Sequence, residues 1–362
     1  MTAERIRWLA AMPKVDLHRH LEGAIRLQTL VEIARTCRLD VPALDPDGLR
    51  SYVQMMPADP RTVECFLSKF DVLRRFYRSP EIIRRITAEA IADAAADQVR
   101  YLELRFTPWA LASQMRYRLR DVVEWVCDAA AEAARSQAIR VGLVVSLSRH
   151  EPIELGLQTV EAALACRDRG VVGLDLAGHE NADFPARPFG PLFLEAKAAG
   201  LGITIHAGEW HGPENVRDAI EHMHADRVGH GVRIIEDSGV VQLARQRGVA
   251  FEICPTSNLQ TGSVRSAGQH PLRDLRDLGL PVTINTDDPA VSGVTLTDEY
   301  ALALEQLGFS PDDLRASIIT AAQVSFLPLA EKARLVSELR EALARHAAVQ
   351  PFPGTVGNTG EG

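Results

Sequence analysis

Gly200-Leu201-Gly202-Ile203-Thr204-Ile205-His206-Ala207-Gly208-Glu209 is the stretch that decides the fold. An apolar, β-branched run, Leu201–Ile205, stops on a histidine, and a carboxylic acid follows just beyond it. Upstream, Pro191–Ala199 has the spacing of an amphipathic helix, and Gly200 suits the left-handed position that ends one. Helix, glycine, short buried strand, polar tip: this order recurs along the chain.

Eight runs read as strands: Lys14–His18, Val99–Phe106, Val141–Leu147, Val171–Leu176, Gly202–His206, Arg227–Gly229, Val249–Cys254 and Val282–Asn285. Helical patterns fill most of the gaps, among them Leu119–Ser136, Ile153–Arg169 and Val240–Arg247. Gly170, Gly248 and Gly279 stand before strands as Gly200 does. Strand then helix, repeated in this way, predicts an α/β chain folded as a (β/α)8 barrel with parallel strands. The gap from Gly23 to Asp97 holds several helical patterns and predicts a helical insertion after strand 1, able to cover the barrel mouth. Further helices are expected over 291–348, outside the barrel. Residues 1–348 are expected to form a single barrel domain. The Gly- and Pro-containing tail 349–362 is expected to be disordered.

The chain has 362 residues, 46% apolar and 24% charged, with a formal net charge of -8. No clustered basic face favours nucleic acid, and no apolar run reaches the roughly 20 residues of a membrane helix. Five scattered cysteines without a C-x-x-C fit a reducing compartment, so the expected location is the cytoplasm.

The chemistry lies at the strand ends. His18 and His20 are two apart on an extended run, so alternation aims both at one face. His206 ends strand 5, and Asp287 follows strand 8. In a closed barrel, strands 1 and 8 are neighbours and strand 5 lies across, so these groups converge where barrel enzymes keep their active sites. Three imidazoles and one carboxylate suit one Zn2+ per chain, with a position left for water. Glu209 is then a spare carboxyl beside the metal site, a natural proton shuttle. His230 ends strand 6 between Gly229 and Gly231 and is placed to orient the attacking oxygen or stabilise developing charge. Asp288, next to Asp287, points the other way on extended backbone and is free to meet substrate. His222 and His224 form a second H-x-H, but they fall at a helix end on the opposite face of the barrel. Residues two apart on a helix do not share a face, so this pair is read as structural.

In this order, the motifs resemble the adenosine deaminases of the metal-dependent amidohydrolase type. They are His18-Arg19-His20-Leu21-Glu22-Gly23, Asp175-Leu176-Ala177-Gly178, His206-Ala207-Gly208-Glu209, Val228-Gly229-His230-Gly231, Cys254-Pro255-Thr256-Ser257-Asn258 and Asn285-Thr286-Asp287-Asp288-Pro289. The resemblance runs from about Pro13 to Ser325-Phe326-Leu327-Pro328. It implies zinc held by His18, His20, His206 and Asp287. It implies that Glu209 gives a proton to purine N1, that His230 partners the attacking hydroxide, that Asp288 meets N7, and that the Gly178 backbone approaches N3. It matches Phe66 and Phe70 to apolar lid positions, and it counts His20 and Glu22 among the groups facing substrate. The implied reaction is hydrolytic deamination of a purine nucleoside, adenosine or 2′-deoxyadenosine, giving the 6-oxo purine and ammonia.

Glu22 departs from the family pattern, which has Asp there, reaching the ribose 5′-hydroxyl. His179 stands where an acid is common, and Trp210 and His211 follow Glu209 where relatives have smaller side chains. These leave the sugar side open, so a 5′-modified adenosine or free adenine is the alternative substrate. A two-metal hydrolase on the same scaffold would carry a bridging lysine at a strand end; Lys14 begins strand 1, and Lys69, Lys197 and Lys332 lie in helical patterns. A non-catalytic purine-binding protein would have lost a ligand or the acid, and all are present. The cytidine-deaminase signature needs a P-C-x-x-C, which is absent.

Overall fold

The computed structural model describes residues 1–350 and 352–353. Its strands are β1 (Lys14–His20), β2 (Val99–Phe106), β3 (Arg140–Ser148), β4 (Val171–Ala177), β5 (Gly202–Ala207), β6 (Arg227–His230), β7 (Ala250–Ile253) and β8 (Val282–Ile284). They lie side by side in chain order, and every adjacent pair from β1 to β8 is parallel. This is the expected (β/α)8 barrel. Each strand falls within two residues of its predicted bounds. Gly170, Gly200, Gly248 and Gly279 all have positive φ, as helix-ending glycines should.

The seam between β8 and β1 is closed differently from the rest. One bridge, Arg19 to Asp287, joins the two edges. The Asp287 N–H donates to the His18 carbonyl at 2.8 Å, and the Asp287 carbonyl accepts from the His20 N–H at 2.7 Å. Side chains supply the rest. Thr286 Oγ1 donates to Asp16 Oδ2 at 2.7 Å, and the Leu17 N–H donates to Asn285 Oδ1 at 2.9 Å.

At the N-terminal end the barrel is plugged by Phe326. A Cβ on Gly202 would meet the Phe326 ring at 2.1 Å, so the strand needs glycine there. The Arg227 guanidinium lies 3.5 Å from the centre of that ring and pairs with Glu103 and Glu252 in the barrel interior.

The insertion after β1 contains the helices Leu27–Cys37, Pro46–Val53, Val63–Leu73 and Pro80–Ala96. Asp45, Thr62 and Ser79 cap the last three by accepting a backbone N–H three residues on. Lys69 Nζ ties the third helix down through the Ser51 carbonyl at 2.9 Å and Asp59 at 2.7 Å. That helix turns Phe66 and Phe70 toward the cavity at the barrel mouth. Helices also occupy Leu296–Gln306, Pro311–Val324 and Leu329–Val349.

The helix Ala3–Ala11 was not anticipated; it buries Trp8 and Leu9. It also holds the start of the tail expected to be disordered. Trp8 Nε1 donates to the Gln350 carbonyl at 2.7 Å, and the Trp8 and Phe352 rings stand 5.0 Å apart. The rest of that tail, Pro351 and 354–362, lies outside the described residues. Among the described residues no helix is long and apolar enough to cross a membrane.

Candidate active site

The strand ends bring the predicted groups together. His18 and His20 come from β1, His206 from β5, His230 from β6 and Asp287 from the turn after β8. The candidate ligand atoms of His18, His206, His230 and Asp287 all lie within 4.8 Å of one another. His20 belongs to the same cluster, its Nε2 being 3.3 Å from His206 Nε2 and 3.4 Å from Asp287 Oδ1. Distance alone therefore offers five candidate ligands for one cation.

Hydrogen bonding separates them. An imidazole binds metal through one nitrogen when the other gives its proton to an acceptor. His18 Nδ1 faces Glu252 Oε2 at 2.9 Å, and His206 Nδ1 faces Asp175 Oδ1 at 2.9 Å. Each thus presents Nε2 to the cluster. His230 is different: its Nδ1 faces the Asn258 amide Nδ2 at 3.1 Å. With that amide donating, the His230 proton sits on Nε2, which suits a donor better than a ligand. On this hydrogen bonding, His18 and His206 have the ligand form, His230 is placed as a donor, and His20 and Asp287 stand within reach of the same point.

The cluster fits a cation on two further observations. His18 Nε2 is buried, lies 3.1 Å from Asp287 Oδ1 and makes no hydrogen bond. Burial keeps the imidazoles of His20, His206 and His230 neutral, the form in which histidine can ligate. Burial and Arg105 also press the His18 pKa down, but Asp287 and Glu252 outweigh them and leave it raised.

The backbone here is strained. His230 and Asp287 both have left-handed φ, +60° and +59°. For residues other than glycine, such strain costs of order 1–3 kcal/mol each and is typical of functional sites. It also corrects the expected geometry of the acid pair. Asp287 and Asp288 are not on extended backbone; the left-handed turn at Asp287 is what sends the two carboxyls apart. Asp288 is buried, with Oδ1 unpaired, and packs so close to Gly23 that a Cβ there would lie 1.9 Å from that oxygen.

Glu209 follows Gly208, whose φ is +66° and whose Cβ, if present, would meet Val216 at 2.5 Å. This tight turn folds Glu209 back over the site, 2% exposed, with Oε2 3.5 Å from His230 Nε2 and Oε1 unpaired. Burial, then the nearby Asp287, Glu180 and Asp288, pushes its carboxyl pKa well up and so favours the protonated form.

The remaining predicted residues line one cavity of about 490 Å³: His20, Glu22, Phe66, Phe70, Gly178 and Asp288. Gly178 has φ +97°, and a Cβ there would meet His150 Nδ1 at 2.8 Å. Glu22 accepts from the Thr107 N–H at 2.6 Å and keeps Oε2 buried and unpaired; burial lifts its pKa to about 7. The decoy pair stays outside: His222 is exposed at the end of the helix Pro213–His222 and pairs with Arg187 and Asp218.

Residues 13–342 match the adenosine deaminase family model. The chain belongs to the adenosine deaminase family. It is 39% identical to an adenosine deaminase of Serratia proteamaculans over 329 residues, which covers 91% of this chain and 98% of that protein. The fold is similar to that of an amidohydrolase from Burkholderia ambifaria solved with bound Zn, with a TM-score of 0.87 at 27% identity, covering 97% of this chain and 95% of that one. It is also similar to an adenine deaminase from Arthrobacter aurescens, with a TM-score of 0.83 at 26% identity, covering 92% and 99%. This adenosine deaminase family member is accordingly a zinc-dependent hydrolase acting on the C–N bond of a cyclic amidine.

Sequence reasoning missed the layer beneath the ligands. Arg105 on β2 donates to Glu252 at 2.7 Å and lies 3.6 Å from Asp175, the two acids that orient His18 and His206. Thr204 and Ser146 bond the same two acids at 3.0 and 2.9 Å. The available signal was charge inside strand-like runs: Glu103, Arg105 and Glu252 are buried there, whereas Arg100 of the same run as Glu103 and Arg105 is exposed.

Proposed function

We propose that this protein hydrolyses adenosine, or 2′-deoxyadenosine, to the 6-oxo nucleoside and ammonia. The observation that carries the reading is the buried Glu209, its carboxyl unpaired at one oxygen and its pKa raised, beside the histidine and Asp287 cluster at the mouth of the cavity. In it, His18, His20, His206 and Asp287 hold zinc. Bound there, zinc supplies a water acidic enough, with a pKa near ~7, to attack carbon at neutral pH.

The chain's own groups do the rest. His230, with Asn258 on Nδ1, directs its Nε2 proton toward the attacking oxygen. Glu209 would give its proton to N1 as the oxygen adds to C6; of the attacking water's two hydrogens, one then restores the Glu209 proton and the other completes the ammonia as the C6–N bond breaks. Asp288, whose pKa burial and its neighbours Asp287 and Glu22 raise, would offer an O–H to N7. Gly178 lets the base edge approach the backbone at N3. Phe66 and Phe70 cover the apolar face of the ring and keep bulk water out. Glu22, with one carboxyl oxygen unpaired, faces the sugar side.

Adenosine is preferred over adenine in this reading because curated relatives named adenosine deaminase reach 38–39% identity, above the 26% of the adenine deaminase. Five unpaired cysteines support a cytoplasmic location. The test is ammonia release from adenosine, 2′-deoxyadenosine, adenine, 5′-methylthioadenosine and aminodeoxyfutalosine, measured side by side. Turnover of adenine alone would refute the nucleoside assignment. Two tightly held metal ions per chain would favour a different hydrolase.

A further inference from the structure

Glu180 belongs to the loop after β4, and nothing in the reaction calls on its carboxylate directly. It is 3% exposed. Its oxygens nevertheless accept from four consecutive backbone N–H groups of the loop that carries Glu209. Oε1 takes Gly208 at 2.8 Å; Oε2 takes Glu209 at 2.9 Å, Trp210 at 3.0 Å and His211 at 3.1 Å. The Asn215 side chain donates to Oε1 at 2.7 Å. Successive N–H groups turned to one side form a concave anion site. Here the anion is built into the chain.

The carbonyls of the same turn are held from the other side. Gly208 O accepts from the Arg233 N–H at 2.9 Å, Trp210 O from Arg233 Nη1 at 2.9 Å, and His206 O from Arg149 Nη2 at 2.5 Å. The turn therefore has little freedom, yet the Glu209 side chain has no strong bond of its own: Oε1 is unpaired and Oε2 is 3.5 Å from His230. Its carboxyl is placed by the backbone beneath it.

We infer that Glu180 is a positioning residue for the proton donor: it fixes Glu209 over the reacting ring by gripping all four N–H groups of the 208–211 turn. The inference rests on the role proposed for Glu209. Neutral Gln at 180 offers one acceptor where there were two, and its amide hydrogens oppose the donors of the turn. A displacement of about 1 Å at a reacting group costs about 100-fold in rate.

The experiment uses the zinc-loaded full chain. Glu180→Gln is expected to lower kcat on adenosine about 10- to 100-fold, with KM and zinc content near those of the parent. In a double-mutant cycle, adding Glu180→Gln to Glu209→Gln is expected to slow turnover no more than about twofold further, because the group it positions is gone. An equal loss in both backgrounds, or an unchanged kcat in the single variant, overturns the inference. If Glu180→Gln does not fold, Asn215→Leu removes one tether of Glu180 instead. It is expected to give a smaller kcat loss with the same non-additivity, and an unchanged kcat there is equally fatal. Hydrogen exchange at amides 208–211 reads the grip without substrate: slow in the parent and fast in Glu180→Gln. If the parent turns over no adenine-bearing compound, the functional reading fails; if exchange is the same in both proteins, the grip fails.

Discussion

Arg105 Nη2 lies 2.7 Å from Glu252 Oε2, the same carboxylate oxygen that stands 2.9 Å from His18 Nδ1. The guanidinium is fully buried and also lies 3.6 Å from Asp175, which holds His206. One cation therefore touches both acids behind His18 and His206, on opposite sides of the barrel, and shares Glu252 with Arg227. Burial alone would protonate Glu252; Arg105, Arg227 and His18 outweigh it and hold its pKa well below the usual carboxylate range.

Arg105→Met is accordingly expected to remove the cation that Asp175 and Glu252 share, leaving Glu252 with Arg227 alone. Breaking a buried ion pair on one side costs about 3–5 kcal/mol, and loss of a group behind metal ligands weakens metal affinity about 10- to 100-fold. Zinc retained after dialysis against graded chelator, together with the melting temperature, checks both effects. Arg105→Met with parental zinc affinity would detach this layer from the metal site.

Glu209→Gln keeps the shape of the side chain and removes the transferable proton. Zinc content is expected to be unchanged and kcat to fall about 100- to 10,000-fold. Near-parental turnover would remove Glu209 from the proton-transfer step.

The two histidines left ambiguous by distance are separable by metal content. His20→Ala is expected to lose most zinc on dialysis. His230→Ala is expected to keep zinc at about one ion per chain and lose turnover. Zinc loss in His230→Ala with retention in His20→Ala would exchange their roles.

Far from the site, His270 predicts a pH dependence of stability. It is buried, its Nδ1 accepts from the Leu272 N–H at 3.1 Å, and burial lowers its pKa from 6.5 to about 4. Above pH 6.5 both the folded and unfolded forms are neutral. Below it the unfolded chain takes a proton that the folded one refuses. Stability is therefore lost as pH falls from 6.5 toward 4 and then levels off, by up to about 3 kcal/mol. His270→Asn keeps an acceptor for Leu272 and cannot titrate. Denaturant melts of both proteins across that range should converge at low pH; parallel curves would exclude His270 as the cause.

The barrel, and the cluster of polar groups at its mouth, were legible because each leaves a local mark. Buried parallel strands read as short apolar runs, helix ends as glycines, and the clustered groups as polar tips on those runs. The grip of Glu180 leaves no such mark: its partners are main-chain N–H groups about thirty positions away, and nothing in the Gly178-His179-Glu180 string reports which carboxyl turns inward. His179 drew attention there instead. The turn at Asp287 was misread for a related reason, because Asn285-Thr286-Asp287-Asp288 carries no glycine to announce a left-handed residue. Arg105 and Glu252 are an intermediate case. Charges with the parity of inward-facing positions, on strands buried on both sides, had to meet inside the barrel. Their pairing with particular histidines depends on how far each strand is offset from the next.

The bridge between Arg19 and Asp287 gives one amino acid two unrelated duties. Its carboxylate looks into the cavity while its peptide fastens the last strand to the first. A substitution that disturbs the left-handed backbone at this position would loosen the clasp of the hoop and shift the carboxylate together. The one seam of the barrel closed by a single bridge thus lies beside the chemistry it encloses.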